Sequence, residues 1–494
     1  MNFSQTSEVQ YTQEGQAISY NNLICQQMIE LFEPCLGPNG TFKALVNGAN
    51  QLNITKDGIA LCRELKFNHP TSIVITRSAN NIFERVGDGI TTYILLVCNI
   101  FSESFNYYLD GSKIPLIINS LQLAANDVSQ YLKAHLLPFN DANLKLLIET
   151  SLCTKLRNCH FLSDIIIQSL KHTADIKLIE ILKMDGGDIR DSIFVPGLVL
   201  DHGPRHQSMP MELYNVCILV TNMSLEYEKP EINAEFVYNS IEQRENLAKS
   251  EGDFIRAKVN VICQLAIELK KKNKFLAVFN EKGIDPPSLE QLAQYGILGL
   301  RRVKRRNLER LINICGGKII TQPEQVCDSS LGFCKQVTVK KVGEETYTFV
   351  EGVPLKGACT IVIRGNIDFN RIKESIKGTL ISVMIAINDK CCIRGGKQLY
   401  IDLIQMIQSK TIHPKDSVGY AILSKVFEKI CKILIKNEKK NVQEEWTNLL
   451  TQGDTKEVID NATVVGNVLT NSIYTAINLL MCDEIILAGK SIKQ

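Results

Sequence analysis

No apolar run in this chain reaches the ~18 residues that a membrane-spanning helix needs. The first twenty residues, MNFSQTSEVQYTQEGQAISY, lack the basic-then-apolar order of a secretory signal. An excess of one charge is missing too. Lys and Arg number 55 against 53 Asp and Glu, a net of +2, so no global field points to nucleic acid or an anionic membrane. Sixteen cysteines are present, yet none stands in CxxC spacing, and most fall in apolar runs such as LLVCNI and MCDEIIL. That pattern predicts buried, reduced thiols in a soluble intracellular protein rather than disulfides or a metal centre. There is no low-complexity linker and no short internal repeat. There is also no GxxxxGK[ST], which excludes the P-loop fold.

At 494 residues, with 45% hydrophobic and 22% charged residues, the chain has room for about three globular domains. ISYNNLICQQMIELFEPCL carries helical apolar spacing and stops at LGPNG, where Gly37, Pro38 and Gly40 enforce a turn. KALVNG and LNITKDG read as short strands about the Asn47-Gly48 pair. A long helix is expected after GDGITT, and another after Pro115. Two more helical stretches and the strand-like VPGLVLDHG follow as far as about residue 205. Over 206–357, NVCILVTN and KFLAVFN alternate with charged helical stretches, which predicts an α/β domain. One of these stretches, Ala234 to about Lys272, reads as a long charged helix with Glu245 and Lys249 spaced for an i, i+4 pair. CGGK at 315–318 reads as a helix stop, ACTIVIRG as a strand, and the chain from Asn370 onward as helical.

A nucleotide site needs backbone N–H groups for phosphate oxygens, a carboxylate for a metal, and a group to orient water. The chain offers LGPNG, TKDG at 55–58, GDGITT at 87–92 and the Gly395-Gly396 pair. Each alone is a weak signal. GDG beside threonines at a predicted helix start is the best of them, because helix N-termini attract anions.

In this order and at these separations the segments resemble those of the group II chaperonins, over essentially the whole chain. LGPNGTFKALVNGANQLNITKDG is similar to that family's first nucleotide segment. GLVLDHGPRH, NMSLEYEKPEINAEFVYNSIEQRENL and EKGIDPPSLEQLAQYGILGLRRVKRRNLERLINICGG resemble its middle region, and INLLMCDEIILAG its closing helix. The resemblance implies a multidomain α+β architecture. A helical equatorial domain (1–140 and 394–494) would hold ATP and the ring contacts, and a small intermediate domain (141–205 and 358–393) would relay closure. An α/β apical domain (206–357) would grip unfolded clients and carry a helical lid protrusion at about 225–272. It further implies a cytoplasmic double ring of paralogous subunits, unfolded client proteins and prefoldin-type co-chaperones as partners, and ATP with Mg²⁺ as cofactors. Neither nucleic acid nor membrane is expected as a partner.

By position, the resemblance implies that Gly37, Pro38 and Gly40 frame the nucleotide and that Asp88 binds Mg²⁺. Gly89, Thr91 and Thr92 would meet phosphates, joined by Thr154 and Lys155, with Gly87 and Ile90 completing the nucleotide-binding loop. Asp57, followed by Gly58, matches a catalytic carboxylate near the γ-phosphate. Gly395 and Gly396 would face the adenosine, and Asp483 its ribose. Four departures stand out. Ile90 replaces a threonine, Asn39 stands where relatives carry Lys or Arg, and Lys397 replaces the last glycine of a triplet, where it either crowds the nucleoside or snorkels to solvent. The fourth is Gly378, which falls on the aspartate that positions the attacking water. Losing a positioned base costs about 10²–10⁴ in rate. Glu374, one turn away, or Asp57 is the alternative acceptor. The expectation is therefore a subunit that binds ATP and hydrolyses it weakly or not at all.

GLRRVKRRNLERLINI reads as an amphipathic helix with Leu300, Val303, Leu308 and Leu311 on one face and Arg302, Arg305 and Arg306 pointing away. The resemblance makes those arginines client contacts; the plainer alternative is a solvated basic face. A free-standing ATPase or kinase needs an intact base and a small-substrate pocket, which the sequence does not show.

Overall fold

The computed structural model describes residues 10–11, 16–46, 52–65, 67–157, 160–173, 175–226, 241–365, 369–454 and 456–487. The Asn47-Gly48 pair, the side chains of Glu245 and Lys249, and the 227–240 part of the expected lid segment lie outside the described residues. The chain forms two compact units, 1–164 with 370–494, and 165–369.

The first unit is helical and is organised about one helix, Ile90–Leu109. Its run from Tyr93 to Ser104 is buried without a break, mostly apolar as a central helix must be, with Glu103 paired to Lys429. Gln16–Phe32, Pro70–Val86, Ser417–Asn437 and Ala462–Leu480 pack directly on it. Lys43–Val46 and Leu52–Thr55 form an antiparallel pair, as their spacing predicts. Pro70–Val86 opens on a β-branched run, TSIVIT, that locally favours a strand, although Pro70 in its first turn and Gly87 just past its end are helix signals. The helix wins because Ile75, Ala79, Ile82, Phe83 and Val86 fall on one buried face. Cys391–Arg394 pairs antiparallel with Ile459–Asn461, setting Ile393 opposite Asp460. This small ladder interrupts the helical texture expected of the C-terminal region.

The second unit carries a seven-stranded mixed sheet. Leu298–Leu300, Phe275–Asn280 and Glu212–Thr221 run parallel, and Ile319–Ile320 pairs parallel with the last of these; Gly332–Val342, Glu345–Glu351 and Leu198–Leu200 continue antiparallel. Helices Ile241–Lys271 and Pro286–Gln294 belong to this unit. A separate three-stranded sheet joins Ile179–Met184, Cys359–Arg364 and Ile193–Val195. The architecture is multidomain α+β. Thirteen of the described cysteines are free thiols, buried or half-buried as expected; Cys327 and Cys482 are exposed, and Cys159 lies outside the described residues.

The basic segment differs from its expected form. Leu298–Leu300 is a strand and the helix starts only at Arg305. Arg302 lies between them with φ of +57°. Leu300, Val303, Leu308 and Leu311 are nonetheless all buried, because a strand end and a helix face deliver them to the same core.

Candidate functional site

One cavity of about 300 Å³ lies within the first unit. Its phosphate-loop end is built by a helix start. Gly87 (φ +75°) ends helix Pro70–Val86, and Gly89 (φ +81°) opens helix Ile90–Leu109 with no side-chain cap. The first-turn N–H groups of Ile90, Thr91 and Thr92 therefore have no intrahelical acceptor, and all three residues line the cavity. Ile90 turns its side chain into the hydrophobic core, 4% exposed, so the missing hydroxyl leaves the loop backbone undisturbed.

Asp88 is held on both sides. Its Oδ1 accepts from the Gly89 N–H at 2.8 Å and lies 3.1 Å from Lys155 Nζ. Its Oδ2 accepts from the Ser151 hydroxyl, which in turn meets Thr379 Oγ1 at 3.0 Å. Lys155 is 6% exposed and, among the described residues, finds no well-aligned hydrogen-bond acceptor. A buried ammonium in that condition suits an anion. Thr154 lines the same wall, its hydroxyl donating to Ser151 O at 2.8 Å.

Gly37, Pro38 and Asp57 line the cavity as well. The element that joins them is Lys56, the lysine of TKDG, to which the sequence motif assigns no role. It is 1% exposed, and its Nζ donates to the carbonyls of Pro38 at 2.7 Å and of Gly37 and Cys153, both at 3.3 Å. One buried ammonium thus ties the LGPNG, TKDG and SLCTKL segments together. Asp57 caps helix Gly58–Glu64 through Ile59 N–H. Burial pushes its carboxyl above the ordinary range, while Lys155 pulls it back. Gly58 stands behind Thr91, and Gly40 closes a turn onto Gly37 O at 3.2 Å; neither faces the cavity.

The far end differs from expectation at two positions. Asp483 does not line the cavity: helix Ala462–Leu480 ends first, and Asp483 lies on the exposed segment beyond it. The carboxylate beside Gly396 on that wall is Asp460, which the Cys391–Arg394 ladder sets there, its Oδ2 3.4 Å from the Gly396 N–H. Only long-range strand pairing brings it there, so no local signal marks it. Gly396 lines the cavity; Gly395 caps helix Gly396–Ser409 and packs on Asp460 instead. Lys397 does not snorkel. It is 5% exposed and pairs with Glu438 at 3.1 Å, with Asp454 3.9 Å away.

Residues 28–490 match the TCP-1/cpn60 chaperonin family. The chain belongs to that family. It is 30% identical, over an alignment of 524 residues covering 97% of each chain, to a mouse (Mus musculus) protein described as T-complex protein 1 subunit zeta-2. In this chaperonin chain the position expected to hold the water-positioning aspartate, Gly378, is buried in helix Phe369–Asp389 against the phosphate loop. Glu374 does not line the cavity and pairs with Arg63 at 3.4 Å. The three arginines of the middle region each face an acid. Arg302 lies 3.8 Å from Glu226, Arg305 meets Glu281 and Glu309, both at 3.1 Å, and Arg306 meets Glu180 at 2.9 Å. Among the described residues no helix is long and apolar enough to cross a membrane.

Proposed function

We propose that this chain is a zeta-type subunit of a hetero-oligomeric, ATP-dependent cytoplasmic chaperonin, and that it holds Mg²⁺ and ATP in this cavity while hydrolysing the nucleotide weakly or not at all. Family membership and the likeness to a T-complex protein 1 subunit support the assembly, its paralogous neighbours, its three-domain division and its unfolded-protein clients. The cavity supports the nucleotide. Uncapped N–H groups, a buried ammonium short of acceptors and one well-held carboxylate are the donor set a magnesium triphosphate requires, since Mg²⁺ is commonly bound through one or two carboxylates plus phosphate oxygens. Asp88 would hold the metal, and Thr91, Thr92, Thr154 and Lys155 the phosphates. Bound Mg²⁺ supplies charge neutralisation at the phosphates.

The observation that carries weak hydrolysis is Gly378. It offers no acceptor, and the two nearby carboxylates are engaged elsewhere, Asp57 on a helix start and Glu374 on Arg63. In the second unit, Arg302, Arg305 and Arg306 remain 50–71% exposed and are offered as client contacts. Their acidic partners reduce the steering charge they present.

Equilibrium binding and single-turnover hydrolysis of ATP by the full-length chain test this reading. Mg²⁺-dependent binding that is lost in Asp88→Ala, with the bound ATP recovered intact, is the expected result. Turnover at the rate of a relative that keeps the aspartate overturns the second half of the proposal; absence of binding overturns the first.

A further inference from the structure

Asp88 is tied through two hydroxyls to the helix that carries Gly378. Ser151, near the end of helix Asp141–Cys153, donates to Asp88 Oδ2 and stands 3.0 Å from Thr379 Oγ1 on helix Phe369–Asp389. Thr379 Oγ1 in turn lies 3.0 Å from the carbonyl oxygen of Ser375, one turn back. Ser151 is 5% exposed and Thr379 is fully buried. Ser151 lines the cavity, whereas Thr379 does not.

Each hydroxyl carries one hydrogen and has two acceptors within reach. Ser151 can donate to Asp88 or to Thr379, and Thr379 to Ser151 or to Ser375 O. The two hydrogens therefore have two connected orders. Both can run toward Asp88, from Thr379 to Ser151 to the carboxylate, or both can run away from it, from Ser151 to Thr379 to Ser375 O. Passing from one to the other turns two O–H bonds and moves no heavier atom. The first order gives Asp88 Oδ2 a donor, which suits an empty site. The second turns oxygen lone pairs toward Oδ2, which suits a carboxylate holding a cation. Oδ1 has no such freedom, because its donor is the backbone N–H of Gly89.

We propose that Ser151 and Thr379 form a two-position hydroxyl switch, which holds Asp88 when the site is empty and withdraws its hydrogen when Mg²⁺ is bound. Thr379 is a positioning residue that acts on the metal only through Ser151. The inference rests on the nucleotide reading above and concerns the same carboxylate.

Calorimetric titration of the full-length chain with ATP, in Mg²⁺ and in EDTA, tests it. The readout is the factor by which Mg²⁺ tightens ATP binding. Thr379→Val keeps the shape of the side chain and removes the acceptor that takes the Ser151 hydrogen. It should lower that factor about three- to tenfold, the range of one neutral hydrogen bond, while the affinity in EDTA stays within about twofold. Thr379→Ser retains the hydroxyl and should restore the wild-type factor. Ser151→Ala removes the hydrogen that has to leave, so it should raise the factor. Adding Thr379→Val to Ser151→Ala should then change nothing further. A Thr379 that merely supports the fold would weaken ATP binding in Mg²⁺ and in EDTA alike, and would do so in the Ser151→Ala background as well. Either result overturns the proposal, as does a lowered factor in Ser151→Ala. If Thr379→Val fails to fold, the direction of the Ser151→Ala effect decides. If the wild-type chain binds ATP in neither condition, the nucleotide reading itself falls, and this inference with it.

Discussion

Gly87 and Gly378 are packed backbone to backbone. A Cβ placed on Gly378 would lie 2.6 Å from the Gly87 carbonyl oxygen, and one placed on Gly87 would lie 2.5 Å from that of Gly378. Helix Phe369–Asp389 therefore sits on the phosphate loop more closely than any side chain at position 378 permits. The missing carboxylate is built into the packing.

This gives a prediction in which two effects have opposite signs. Helix propensity alone makes Gly378→Ala stabilising by about 1 kcal/mol. Overpacking against the Gly87 carbonyl, Phe83 and Lys155 costs about 1–3 kcal/mol. Because the nearest obstacle is backbone, packing should win and the alanine variant should melt lower than wild type. Gly378→Asp should melt lower still and gain no phosphate release, since its carboxylate enters only by displacing the loop. Thermal melts and a phosphate-release assay on both variants check this; a stable, hydrolysing aspartate variant would show that the loop yields.

The site is legible in the sequence where a motif is contiguous and opaque where distant segments converge. GDGITT announces a helix start, and the turn at LGPNG is written in its glycines and proline. The bridging role of Lys56, although it stands in TKDG, is not legible, because its partners at Pro38 and Cys153 are 18 and 97 positions away. Asp460 escapes sequence reasoning for the same cause, since only the pairing of Ile459–Asn461 with Cys391–Arg394 brings it to the cavity. The Leu298–Leu300 strand passes for helix because Leu300 and Val303 fit a 100° period as well as they fit a strand end followed by a helix face.

Lys56→Met should be costly. The side chain keeps its volume but leaves the Gly37, Pro38 and Cys153 carbonyls without their shared donor. Hydrogen bonds to a charged group contribute about 1.5–3 kcal/mol each, and buried groups left unsatisfied add to the loss. A fall of roughly 3 kcal/mol or more in unfolding free energy is expected, with weakened ATP binding, because two walls of the cavity come apart. Urea denaturation and titration with ATP measure the two effects; a variant with wild-type stability would contradict the role given to Lys56.

In the second unit, Glu180 is 12% exposed and pairs with both Arg306 and Arg310. Arg310 is 5% exposed and also donates to Lys177 O at 2.8 Å. Removing the acid strands a buried guanidinium, so Glu180→Ala should destabilise by about 3–5 kcal/mol. Arg306, 61% exposed, is the dispensable partner, and Arg306→Ala should cost about 1 kcal/mol or less. Comparing the two variants by denaturation separates the structural arginine from the surface one. Equal losses would mean that the pair with Arg306 carries the energy.

The carboxyl of Asp460 is pushed up to about 6, by burial first and then by the negative charge of Asp88, against the Gly396 N–H, which lowers it. The unfolded chain releases this proton near the ordinary carboxylate value of about 4. Between those values the folded chain holds a proton that the unfolded chain has lost, so Asp460 makes stability fall as pH rises from about 4 to 6 and stay lower above that. Asp460→Asn cannot ionise. It should match wild type below about pH 4 and exceed it above about pH 6, by at most about 3 kcal/mol, since each pH unit between the two values is worth about 1.4 kcal/mol. Asp57, also raised by burial, contributes a slope of the same sign that persists in the variant. Urea midpoints of both proteins at about pH 4.5, 5.5 and 7, chosen to span those two values, test this. Curves that stay parallel across the range would mean that Asp460 is ionised in the folded chain throughout.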